Sequence, residues 1–132
     1  MVLDSSVLVA IMQREPGWQR LRSIVASAER RLISAATLIE TSLVIEGRRG
    51  PNGELELDTL LIELPVEIVP VDAAQAALAR SAFRRFGKGR HAAALNFGDL
   101  FSYALARSLA EPLLFVGNDF SRTDFEPALP AD

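Results

Sequence analysis

The chain has no cysteine, and only one histidine, one tryptophan and one tyrosine among its 132 residues. Without cysteine there are no disulfides and no thiolate-held metals, which suits a reducing, intracellular setting. A lone imidazole, His91, leaves no histidine-rich metal centre and no place for a histidine triad. Any bound metal is then a hard cation held by oxygen. Long apolar runs are missing too: "VLVAIM" near the start is too short to cross a membrane, and Asp4 interrupts any leader-like run. Neither sign of charge dominates, with 14 basic and 17 acidic residues giving a net charge of −3. Such a balance excludes a protein that coats nucleic acid by bulk attraction, but allows a basic rim around an acidic pocket.

What is present reads as globular: 49% hydrophobic and 23% charged residues. The length fits one domain over residues 1–132, burying about two-thirds of its unfolded surface. "MVL" reads as a short strand, and "DSSVLVAIMQ" as a helix capped by Asp4 or Ser5. A helix over Gly17–Ala28 turns Trp18, Leu21, Ile24 and Val25 to one side. "RLIS" is a strand, and "AATLIETSLVIEG" a helix stopped by Gly47. "RRGPNG" reads as a turn, "ELELDTLLIEL" as a helix and "VEIVPV" as a strand. Asp72 and Gln75 frame a capping box for the helix "DAAQAALARSAFRRF". A loop, "GKGRHAAALNFG", leads to the helix "DLFSYALARSLA" and the strand "LLFVG"; turns and an edge strand complete the tail. Short apolar strands alternating with helices predict an α/β fold with a parallel sheet covered on both faces.

In open parallel sheets, ligands bind beyond the carboxyl ends of the strands. Asp4 and Asp119 each follow a predicted strand. Each also has a plainer role, Asp4 as an N-cap and Asp119 as a turn former in "GND". Glu40 has Ala36, Leu43 and Val44 as its helical neighbours, which places a carboxylate on an apolar stripe where it needs a partner. Glu46, between Ser42 and Arg49, reads instead as part of a solvated face. Asp99 opens the last long helix, where the dipole favours it, although Asn96 or Gly98 also serves as a cap. Should these four acids converge, their repulsion raises their pKa values unless a divalent cation neutralises them, and Mg²⁺ suits such a set. Spacing alone leaves the metal site and the set of caps as alternatives.

"MVLDSSVLVAI", "SAATLIETSLVI", "LNFGDLFSYALA" and "LLFVGNDFSRTDF" occur in that order over essentially the whole chain. Together they resemble a PIN domain of the VapC toxin type. The resemblance implies a three-layer α/β/α sandwich with a mainly parallel central sheet. It also implies a cytoplasmic endoribonuclease that uses Mg²⁺, or Mn²⁺ in its place, as the toxin of a type II toxin–antitoxin system. Matched residue by residue, the catalytic acids fall on Asp4, Glu40, Asp99 and Asp119, with Asp4, Asp99 and Asp119 on the metal and Glu40 holding water. Asp124, at the "TD" of the last motif, supplements or replaces Asp119. The implied partners are RNA, a VapB-like antitoxin that obstructs the acidic pocket, and a second copy of the chain, with toxin–antitoxin hetero-oligomers and no membrane.

The densest basic stretch, "RRFGKGRH", offers Arg84, Arg85, Lys88 and Arg90 to phosphates and Phe86 or His91 for stacking; Arg48 and Arg49 add a smaller patch. Trp18 and Tyr103 read as core. Ser6 either starts its helix or hydrogen-bonds an acid. Two rival readings fare worse. A haloacid-dehalogenase-type phosphatase needs D-x-D at the first strand, where Asp4 is followed by two serines. A receiver domain needs a strand-end lysine, whereas the single lysine, Lys88, lies among glycines. A non-catalytic scaffold whose acids merely cap helices would show no saturable Mg²⁺ or Mn²⁺ site.

Overall fold

The structure, a computed structural model, describes residues 1–124. Its elements run β1 (Val2–Leu3), α1 (Ser5–Met12), α2 (Trp18–Ser27), β2 (Leu32–Ser34), α3 (Ala35–Arg49), α4 (Asn52–Glu63), β3 (Glu67–Val69), α5 (Ala73–Phe86), α6 (Phe97–Leu109) and β4 (Leu113–Leu114). The four strands form one sheet in the order β3-β2-β1-β4, and every pairing is parallel. Parallel neighbours need crossovers, and the helices supply them.

Side chains alternate across a strand, so each strand serves two cores. Val2, Leu32 and Leu113 face a cluster with Phe86 of α5 and Leu100, Tyr103 and Leu105 of α6. Leu3, Ile33 and Leu114 face the other way, against Val7 and Leu8 of α1, Val25 of α2 and Leu57 and Leu61 of α4. All six strand residues are fully buried, each contributing about 1.5–3 kcal/mol. The result is a three-layer α/β/α sandwich with β1 in the middle of the sheet and its carboxyl end facing the start of α6. The edge strand β3 is mostly exposed.

Several element boundaries differ from the sequence reading. α3 passes through Gly47 and ends at Gly50, whose φ of 75° is the left-handed geometry glycine accepts. Its core-facing series Thr37, Thr41, Ile45 continues past any local break, so the predicted turn "RRGPNG" shrinks to Gly50 and Pro51. Gly53 is needed in α4 because a side chain there would press into Ile45 of α3. The strands are shorter than "VEIVPV" and "LLFVG" suggest, although Phe115 stays buried beyond the end of β4. α6 begins at Phe97, two residues before Asp99. Half of the box predicted for α5 forms: Asp72 accepts from the Gln75 backbone at 2.8 Å, but the Gln75 side chain donates to Pro70. Tyr103 is core, whereas Trp18 is only partly buried. Residues 118–124 are turns, and the rest of the predicted tail lies outside the described residues.

Candidate active site

Asp4 follows directly on β1 with an extended backbone (φ −78°, ψ 158°), its N–H donating to the Leu114 carbonyl at 3.0 Å. One carboxylate oxygen accepts from the Ser6 backbone (3.2 Å) and hydroxyl (2.7 Å), which caps α1. The other accepts from the Ser102 hydroxyl at 2.7 Å. Capping and presentation are therefore one arrangement, with the carboxylate held from both sides and only 3% exposed. Ser6 binds the acid and also accepts from the Val116 N–H at 3.0 Å, tying β1 to the chain after β4. Ser102 was not anticipated from the sequence. It lies three residues after Asp99, on the same helix face, and that spacing in an otherwise apolar helix was the available signal. Its oxygen is 3.4 Å from the Thr37 hydroxyl, which extends the polar seam to α3.

Asp99 completes a capping box at the start of α6. The Asn96 side chain accepts from the Asp99 N–H at 3.0 Å, and the Asp99 carboxylate accepts from the Asn96 N–H at 2.9 Å. Burial nonetheless pushes the Asp99 carboxyl up to about 7; the Asn96 hydrogen bond opposes the rise, while the charges of Asp119, Asp4 and Glu40 add to it. Acids from three other segments thus act on Asp99.

Glu40 arrives differently from the sequence expectation. It is half-buried rather than set in an apolar core, because Leu43 is 66% and Ile39 62% exposed. The core face of α3 is the one bearing Thr37, Thr41 and Ile45. The Glu40 carboxylate instead lies against Gly98 in the first turn of α6, so closely that a methyl group there would overlap it. Glu46 is exposed, as expected.

Asp119 sits in the turns after β4, exposed, beside the fully buried Phe120 whose ring packs against Phe115 at 5.0 Å. Asp124 has other partners. Tyr103 donates to it at 2.9 Å, Arg107 pairs with it, and Arg85 lies 3.4 Å away. Partial burial raises its pKa, but the Tyr103 hydrogen bond and the Arg107 charge outweigh this and hold it below the ordinary value. Asp124 is not among the charges that act on Asp99.

The basic loop is also partly committed. Arg85 covers the Phe86 ring at 4.6 Å and Arg90 the Phe83 ring at 5.1 Å. Phe86 is buried and not available to stack on a base. His91 packs edge-on against Phe86 and accepts from the Ala93 N–H at 3.0 Å, so it staples the loop. Lys88 is exposed.

Among the described residues, no three carboxylates or imidazoles stand close enough to form a ready-made metal cage. What the site offers is a set of hard oxygen donors whose like charges hold the Asp99 carboxyl up, which fits a divalent cation bound partly through water.

Comparison with known proteins places the chain in a family. The family description "PIN domain" matches residues 1–126, and the chain belongs to the PIN-domain family. It lies among the VapC proteins of that family. It is 50% identical to Ribonuclease VapC30 of Mycobacterium tuberculosis over 131 residues, 98% of this chain and all of that one. Ribonuclease VapC of Mycolicibacterium smegmatis is 52% identical over 124 residues, 94% of this chain and 96% of the relative. Among solved structures, M. tuberculosis VapC20, a sarcin–ricin loop cleaving toxin, superposes with a TM-score of 0.78 at 20% identity, covering 98% of each chain. A chain of the Rickettsia felis VapBC2 complex with a promoter DNA fragment gives 0.70 at 18% identity, over 93% of this chain and 92% of that one. At such identities these two matches concern the fold.

Proposed function

We propose that the protein is a VapC-type toxin: a metal-dependent endoribonuclease that hydrolyses RNA phosphodiester bonds with Asp4, Glu40, Asp99 and Asp119. The observation that carries this reading is that Asp99, Asp4 (through Ser102) and Glu40 (against Gly98) all meet α6, with burial and the neighbouring acids pushing the Asp99 carboxyl up to about 7. The ribonuclease relatives matched end to end support it. Asp4, Asp99 and Asp119 hold the cation, Mg²⁺ or Mn²⁺. Bound there, a divalent cation supplies charge neutralisation at the phosphodiester and activates water for in-line attack. The chain does the rest. Ser6 and Ser102 fix both oxygens of Asp4; the Asn96 box aims Asp99; Gly98 admits the Glu40 carboxylate to the helix start, where it accepts a proton from water. Asp124 holds its segment in place and does not replace Asp119.

The partner reading has its own support. An apolar groove of about 560 Å³ between α5 and α6, with Phe97 78% exposed at its mouth, suits a second copy of the chain. The other partner is a VapB-like antitoxin segment that covers the acidic pocket. No described helix is long and apolar enough to cross a membrane, in keeping with a cytoplasmic protein.

The test is RNA cleavage by the purified protein with Mn²⁺ titration alongside. We expect Asp4→Asn and Asp99→Asn each to lower cleavage more than about 100-fold while the far-ultraviolet spectrum is kept. Both variants cleaving at the wild-type rate would overturn the assignment.

A further inference from the structure

Beside Asp119 the surface opens into a hollow of about 450 Å³, within the range of sites that hold small ligands. One wall is Ala92, Ala93 and Ala94; the other is Asn118, Ser121 and Arg122. Both walls are fixed before anything binds. The alanine wall belongs to a loop closed at its base by Lys88 N–H to Leu95 carbonyl and Leu95 N–H to Phe86 carbonyl, each 2.9 Å. His91 braces it from within, accepting at Nδ1 from Ala93, and Ala93 and Leu95 are buried beneath. Ala94 holds φ 52°, a strained left-handed value for a residue with a side chain. The facing wall is anchored by Phe120 and by the Ser121 hydroxyl on the Asn118 carbonyl at 2.7 Å.

We infer that this hollow seats one unpaired nucleobase of the RNA, next to the phosphodiester that is cut. The inference rests on the nuclease reading and adds a subsite to it. Asp119 is the link, since it lines the hollow and is one of the four acids of the proposed site. The chemistry selects the occupant. The lining charges of Asp119 and Arg122 cancel, so the hollow has no net attraction for a phosphate and suits a neutral base. The Asn118 amide carries donors and an acceptor suited to a base edge, and the planar Arg122 guanidinium suits a base face. Three successive alanines leave the space empty, where larger side chains would fill it. Exposed Lys88, on the same loop, supplies a cation for a flanking phosphate.

The subsite is tested with Ala92→Phe, which fills the hollow from an exposed position, and with Arg122→Ala, using Ala92→Ser as the conservative control. Cleavage ends are sequenced from a random-sequence RNA pool, KM is measured on a short oligonucleotide, and Mn²⁺ affinity is read separately. We expect Ala92→Phe to raise KM about tenfold or more, the scale of losing one base contact, and both variants to relax base preference at a single position beside the cut. Ala92→Ser retains the wild-type pattern, and Mn²⁺ affinity is unchanged throughout. Wild-type KM and cut sites in both variants overturn the subsite and leave the nuclease reading standing. Failure of the wild-type protein to cleave any RNA with Mg²⁺ or Mn²⁺ overturns the nuclease reading itself. Altered binding of a protein partner with unaltered RNA cleavage assigns the hollow to that partner and overturns the inference.

Discussion

Gly98 has no side chain at the one place where a side chain would displace Glu40. The obstructed group is the far end of a flexible carboxylate, so Gly98→Ala should fold, and helix propensity favours it by up to about 1 kcal/mol. Glu40 must swing away, however, and misplacing a catalytic group by about 1 Å costs on the order of 100-fold. We expect a Tm at or above wild type together with cleavage reduced at least about tenfold, from melting curves and single-turnover kinetics on one preparation. Asp99 makes a second prediction at this scale. Its folded pKa of about 7 lies above the ordinary 3.8 of a free aspartate, so the native state binds the extra proton between those values. In the cation-free protein, stability should therefore fall as pH rises from about 4 to about 7 and then level off, by at most about 4 kcal/mol. Asp99→Asn keeps an oxygen acceptor for the Asn96 N–H and removes the charge. Urea unfolding of that variant across the same range should show a flatter profile.

α6 brings several of these groups together. Within 13 residues it carries Asp99, the Ser102 hydroxyl that holds Asp4, and Tyr103 and Arg107, which grip Asp124. The helix thus sets the positions of the first strand end and of the segment bearing Asp119. Asp124→Asn should loosen that segment: amide exchange in residues 118–124 should speed up while exchange in β1 and α1 does not, and Mn²⁺ affinity should fall a few-fold. Unchanged exchange would show that Phe120 alone holds the segment. The helices themselves were legible through their caps, since Asp4, Asp72 and Asn96 all make the predicted kind of bond. The course of α3 was not. Helical periodicity finds an apolar stripe but cannot say which stripe faces inward, and α3 turns its threonines to the core and Leu43 to solvent. The separation of Asp119 from Asp124 was equally hidden, because it depends on Tyr103 and Arg107, contacts made across 21 and 17 residues.

At the scale of the molecule, carboxylates after strands and in a first helical turn can be read from sequence, because local punctuation marks where strands and helices end. What brings Asp4 against α6 is a parallel sheet with β1 between β2 and β4. Linkage gives a test of the whole assembly. A cation that binds only the folded chain raises Tm in proportion to the logarithm of its concentration. The rise should be larger at pH 8 than at pH 5, where a proton on Asp99 competes. Equal shifts at the two pH values would count against Asp99 as a ligand, with differential scanning calorimetry as the measurement.

The pairing of β4 with β1 also bears on how such a protein is made. Asp4 is held by Ser102, and its backbone by Leu114, while Asp119 comes later still. A growing chain thus emerges with Asp4 held only by Ser6, before the Ser102 and Leu114 bonds form and before Asp119 is added. On the proposed site, a translation product broken off before Asp119 should be inert, which sparing of RNA in cells expressing residues 1–117 would check.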